Sequence, residues 1–375
     1  MATKAPWSSQ YMIEQTSSLT GAPTFAPATK IGLEGTGAAN GVFRVGLLSS
    51  PHIMPSSGTI EHPTTTGLAE MFTTLDYSQV VGEPSSVSLE MPLNSYNLSL
   101  FLLLLFQGGC SEAAGATYNT FRAIPYTTSA PSYYVSVVRV MVDDFATKPN
   151  VDTLSHILYG GLCTSLTITG AENDILKLTA EIKGSWAIAA AATDLPAFEM
   201  LINNAANNWN SFIFMGSGQE ANRTPIKFQD CTTKIGGNAV DFDNFSITIS
   251  NNAQHRYYAN SSINSWVLGR LTGEGSVRVP WGDTNYGGNN PLNDFVDGTD
   301  YAFELYTEDM VGGPPVVATT DNSIDFNMNI RATNTSISTD PEVQTELSFA
   351  SVYDGTNAAF DLKCGYNKTY LDRIA

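Results

Sequence analysis

Asp243-Asn-Phe-Ser-Ile-Thr-Ile-Ser-Asn-Asn252 decides how the rest of the chain is read. Phe245, Ile247 and Ile249 alternate with Ser246, Thr248 and Ser250. Successive side chains of a strand point to opposite faces, so this segment has one oily face and one hydroxylated face. Asn251-Asn252 supplies the turn chemistry of a strand end. A second strand is expected at Gly275–Val279, where Val277 and Val279 alternate with Ser276 and Arg278. The surrounding stretch from Arg223 to Trp281 carries no catalytic residue type at a useful spacing. Its pattern is that of strands built to pair, pack and assemble.

Composition agrees with that reading. The chain has 375 residues, long enough for two domains or one enlarged one. Hydrophobic residues make up 42%, enough for a core, while charged residues make up only 14%, so the surface must be largely Ser, Thr, Asn and Gly. The formal net charge is −18. Nucleic-acid binding needs Lys and Arg to displace counterions from phosphates, so sequence-level DNA recognition is excluded. Cys110, Cys163, Cys231 and Cys364 lie far apart, with no CxxC spacing, and are expected as free thiols of a reducing compartment. The first ten residues have no signal-peptide pattern.

Along the chain, 1–55 is Ser-, Thr-, Gly-, Ala- and Pro-rich and reads as an extended arm with one short strand at Gly41–Leu48. A first β-rich module is expected over 56–222 and a second over 223–375. In the first, Ser86–Met91 alternates as a strand. The apolar run from 96 to 107 is too short to span a membrane, which takes roughly 20 residues, and reads as a buried helix capped by Asn94 or Ser95. Tyr133–Val142 is predicted as a strand apolar on both faces. Val151–Tyr159 carries Leu154, Ile157 and Leu158 at helical spacing, with Gly160-Gly161 as a stop. Leu166–Thr169, a Gly170–Asn173 turn and Ile175–Lys183 form a hairpin, with Leu176, Leu178, Ala180 and Ile182 inward. A short helix is predicted at Leu195–Ala206. Later strands are predicted at Tyr301–Tyr306, Ser323–Ala332 and Glu342–Val352. Regular short strands with one or two short helices and long loops make the chain mainly β, a sandwich or open barrel. The segments 165–186 and 245–281 echo one another, as two related β modules would.

Lys234-Ile-Gly-Gly-x-x-Val240, Phe245-Ser-Ile-Thr-Ile-x-Asn-Asn252 and Gly269-Arg-Leu-Thr-Gly-Glu-Gly-Ser-Val277 resemble the tail tube proteins of long-tailed bacteriophages. The resemblance implies a structural virion protein of the tail, not an enzyme and without cofactors. It would be assembled in the host cytoplasm and would close by oligomerisation into rings that stack as the conduit for genome ejection. Its partners would be copies of itself, other tail proteins, and double-stranded DNA passing without specific binding; no membrane is involved. The resemblance implies six subunits per ring; three would serve if the internal echo is a duplication.

The chemistry-bearing residues weigh the same way. His52, His62, His156 and His255 are scattered, with no second ligand type at metal spacing. Gly216-Ser217-Gly218 leads into a loop, not a helix, so no nucleophile elbow is present. Asp283, Asn285 and Asp294 are spaced as in a calcium loop, but Gly287 stands at the third ligand position and Asp closes the run; a subunit-contacting loop is the plainer account. In a conduit, fixed positive charge would hold phosphates, whereas acidic side chains would repel them over about a 10 Å Debye length. Asp325, Glu346 and Glu304, on the polar faces of the late strands, are the candidate lumen-lining residues. Two other classes stay open: a capsid or decoration protein, and a calcium-dependent carbohydrate-binding sandwich.

Overall fold

The computed structural model describes residues 9–16, 41–44, 47–49, 51, 57–61, 78–82, 85–107, 110–112, 118–122, 131, 133–141, 156–188, 224–257, 263–280, 298–307, 323–338, 344–353 and 359–365. In chain order these form β1 (Ser9–Thr16), β2 (Gly41–Arg44), β3 (Ser57–Glu61), β4 (Ser78–Gly82), β5 (Ser85–Pro92), α1 (Ser95–Phe106), β6 (Cys110–Glu112), β7 (Tyr118–Arg122), β8 (Tyr134–Met141), β9 (His156–Ala171) and β10 (Lys177–Ile188). They continue with β11 (Cys231–Ile235), β12 (Asn238–Ala239), β13 (Asn244–Ser250), β14 (Gln254–Tyr257), β15 (Ile263–Val267), β16 (Thr272–Pro280), β17 (Asp300–Thr307), β18 (Ile324–Ser338), β19 (Gln344–Ser351) and β20 (Phe360–Gly365).

Sixteen of the strands join one antiparallel sheet, with β13 between β9 and β16 near its middle. The alternation read at the outset holds: Phe245, Ile247 and Ile249 are buried, while Ser246, Thr248 and Ser250 face outward. The inward sets of the hairpin and of the late strands are buried as well, from Leu178 and Ala180 to Phe326, Met328 and Phe349. The sheet curls until distant strands face each other. Phe303 of β17, four places from β13 in the sheet, has its ring 6.4 Å from Phe245 and stacks at 5.6 Å on Phe349 and 5.7 Å on Phe242. Burying such rings dominates core energetics.

The predicted helix is α1, and it is core on every side: Phe101, Leu102, Leu104 and Leu105 are fully buried. Its cap is Asn94, whose Oδ1 accepts from the Asn97 N–H at 2.8 Å. Gln107 ends it in a left-handed conformation (φ 54°), and its side chain clamps the backbone of Tyr133 by two hydrogen bonds.

Three expectations are corrected. Residues from His156 onward continue as strand β9, so the helix proposed at Val151–Tyr159 does not exist there; 151–155 lie outside the described residues. Gly161 does not stop an element: a Cβ there would meet the Lys183 carbonyl at 2.9 Å and the Val135 carbonyl at 3.0 Å, so glycine lets β8 and β10 close on β9 from both sides. The N-terminal segment contains β1, which pairs with β8 over eight residues. The strand expected at Ser323–Ala332 runs on to Ser338. The helix expected at Leu195–Ala206 lies outside the described residues.

Candidate assembly surface

One face of the sheet packs on the core, and the other, across β5, β10, β9, β13, β16 and β19, is tiled with hydroxyls. Register aligns them in rows. Glu90, Thr179, Thr167, Thr248 and Glu274 form one row, and Lys177, Thr169, Ser246, Ser276 and Ser348 another. Within the first row the Thr167 and Thr248 hydroxyls are 2.9 Å apart and hydrogen-bonded. The Ser165 hydroxyl donates to the Glu181 carboxylate at 3.2 Å. An open depression of about 620 Å³ lies over Gly275, bounded by Thr248, Glu274, Ser348 and Thr333. Gly275 is required by close packing: a Cβ there would meet the Ser246 carbonyl at 2.6 Å and the Phe349 ring at 2.7 Å.

The acidic candidates each face a base. Asp325 of β18 is paired with Lys363 of β20 at 2.8 Å. Glu304 of β17 lies across from Lys234 of β11, whose ammonium sits 5.0 Å over the Tyr306 ring. The Lys234 pKa is raised, first by its hydrogen bond to Tyr306 and then by charge attraction from Tyr306 and Glu304. Glu346 of β19 lies across from Arg278 of β16. Sequence reasoning saw the carboxylates and missed the partners, because the partners are set by register between distant strands. Glu346 stands on the hydroxyl face, whereas Asp325 and Glu304 stand beyond the core from β13. Asp283, Asn285 and Asp294 lie outside the described residues. Among the described residues no group of three His, Cys, Asp or Glu is placed to hold a metal, and no helix is long and apolar enough to cross a membrane.

Among the described residues, the path β5–β10–β9–β13–β16–β19–β18 has no paired strand on the outer border of β5 or along 332–338 of β18. On the outer border of β5 the Leu48 N–H donates to the Glu90 carbonyl at 2.8 Å. At the other end β17 pairs with β18 only as far as Arg331, so one border of 332–338 has no paired strand among the described residues. That border, Ala-Thr-Asn-Thr-Ser-Ile-Ser, is uncharged and includes Ile337, 45% exposed. Uncharged, β-prone borders are sites of strand pairing between chains.

The family model described as "Phage tail tube protein" matches residues 16–351. The chain belongs to the phage tail tube family. It is a structural protein of the bacteriophage virion, a tail tube subunit, and stacked self-assembly alongside other tail proteins follows from that membership. No curated protein matches it. Among solved structures, the tail tube subunit is similar to the SPP1 tail tube determined by solid-state NMR and cryo-EM, at 14% identity over 40% of this chain and 84% of that one, with a TM-score of 0.25.

Proposed function

We propose that this tail tube subunit closes into a ring by pairing the 332–338 border of one copy with the β5 border of the next, and that the stacked rings form the hollow conduit for genome ejection. The observation that carries this reading is that, among the described residues, no strand pairs the β5 border at one end of the sheet or the 332–338 border at the other. Such an interface is head-to-tail, and head-to-tail contacts close into rings when the rotation fits. Closure also removes two edges that would otherwise invite uncontrolled pairing.

In such a ring the core side of the sheet, carrying α1 and the far strands, takes up more room than the bare side. The bulky side therefore faces out and the hydroxyl face lines the lumen, with Glu346 on its wall. Asp325 and Glu304, beyond the core and matched by lysines, fall on the outer flank. On this wall of hydroxyls the cations stand beside carboxylates, Lys177 with Asp174, Lys183 with Glu181 and Arg278 opposite Glu346, so little positive charge is left to hold the phosphates of duplex DNA and it passes without being held. The subunit works without catalysis or cofactor and assembles in the host cytoplasm. Electron microscopy of the purified protein tests the reading: hollow tubes are expected, and particles that stay monomeric at every concentration overturn it. Ile337→Lys should abolish tubes while leaving the melting of the monomer within about 0.5 kcal/mol of the parent, because surface charges are tolerated in a folded monomer but block an edge.

A further inference from the structure

We infer that Leu48 is the apolar anchor on the β5 side of the seam between copies, and that the neighbour's 332–338 edge, with Ile337 as its own anchor, buries it. The inference rests on the ring closure proposed above. Among the described residues three large apolar side chains are exposed, Leu48, Ile337 and Tyr353. Tyr353 follows β19, but Leu48 and Ile337 stand at the two borders left without a paired strand among the described residues, one at each end of the sheet. Apolar side chains exposed at a strand border favour pairing with another chain. Leu48 is also held in place: its N–H donates to the Glu90 carbonyl at 2.8 Å, and Leu47 beside it packs on the core. A side chain 46% exposed on a backbone tied to the sheet can be buried at little further entropic cost.

The sheet contains one internal seam of the same form, where β9 meets β13. There the Asp243 N–H donates to the Arg278 carbonyl of β16 at 2.9 Å, and the Asp243 carbonyl accepts from the N–H of Glu172, the residue after β9, at 2.9 Å. Leu48 holds the place beside β5 that Asp243 holds beside β16. Glu90 and Arg278 each stand two residues before the proline that ends its strand, Pro92 or Pro280. The side of Asp243 turned away from β16 meets the far end of β9, a long strand that leads into a hairpin. The 332–338 border is the far end of the other long strand that leads into a hairpin, β18, and so matches the outer side of Leu48.

The side chains agree on both faces. In the internal seam Ile168 and Ile247 lie opposite each other and are buried, while Thr167 and Thr248 are bonded on the hydroxyl face. Along 332–338, Thr335 and Ile337 stand opposite the buried Leu347 and Thr345, and Asn334 and Ser336 continue the hydroxyl face beside Ser348 and Glu346. Ile337 is thus on the side that the internal seam covers with apolar groups from across. No repulsion opposes the join, because 332–338 is uncharged and Arg331 before it is engaged by the Asp300 carboxylate at 2.6 and 2.9 Å.

The two halves differ, so variants blocked at different halves complement each other, and native mass spectrometry of Leu48→Lys mixed with Ile337→Lys reads this directly. Each variant alone should stay monomeric at concentrations where the parent forms tubes. The mixture should give a dimer of one of each, since the Ile337 edge of one meets the Leu48 border of the other, and it should grow no further. A mixture that stays monomeric overturns the inference. Tubes from Leu48→Lys overturn it while leaving ring closure intact, and tubes from Ile337→Lys overturn the closure reading and this inference with it. Leu48→Cys, labelled with a bulky maleimide and mapped by mass spectrometry, checks the same burial without a charge. It should react in the monomer and be protected in tubes, and equal labelling in both overturns the inference.

Discussion

Phe303 is where single residues matter most. Its ring packs against Phe245, Phe326 and Phe349 of three strands and against Phe242 in the segment before β13. Phe303→Ala should cost about 3–5 kcal/mol in chemical denaturation of the monomer, since the cavity cannot collapse against four rings. Gly275 acts through absence: Gly275→Ala sets a methyl 2.6 Å from the Ser246 carbonyl, and the resulting backbone shift should cost about 1–3 kcal/mol by the same measurement. The thiols give a chemical reading of burial. Desolvation first, and then Asp230, push Cys231 up to about 12, and desolvation with Glu181 pushes Cys163 higher still. At pH 8 both should stay protonated and resist alkylation in the folded protein, then react once it is unfolded, as read by mass-mapped iodoacetamide labelling. Composition suggested free thiols; their inertness follows only from where the fold puts them.

At the scale of elements, α1 shows how a mostly apolar run becomes a defined helix. Amphipathicity cannot orient a segment that is oily all round, so caps and buried polar contacts do it. Asn94→Ala removes the acceptor for the Asn97 N–H and should lower stability by about 1 kcal/mol. Gln107→Ala should cost more, about 1–3 kcal/mol, because it removes two buried hydrogen bonds to the Tyr133 backbone; thermal melts of the two variants side by side check the order. The β9–β10 turn carries a pH effect of known sign. Asp174 has its pKa lowered, first by the hydrogen bond from Lys177 and then by the Ile175 N–H. A carboxylate depressed in the folded state stabilises above its unfolded pKa, and that contribution is lost as pH falls through the folded value. Asp174→Asn should therefore lower stability at neutral pH, leave the acid end nearly unchanged and so flatten the acid limb, as read by chemical denaturation across pH.

At the scale of the whole molecule, the period-two pattern was legible because each face of a strand meets one environment. Phe245, Ile247 and Ile249, the hairpin at 165–183 and the inward sets of the late strands follow from local alternation, while the tail tube family was legible through the resemblance of the motifs between Lys234 and Val277. The segment from His156 misled, because Leu154, Ile157 and Leu158 fit a helical spacing as well as a buried strand, and only the closeness of β8 and β10 at Gly161 distinguishes them. What only the tertiary structure decided lies between segments distant in sequence. It set Lys363 against Asp325, Lys234 opposite Glu304 and Arg278 opposite Glu346, and it placed β13 between β9 and β16. Side-chain alternation is written into each strand by the geometry of the backbone, whereas register and neighbour order emerge from packing the chain against itself.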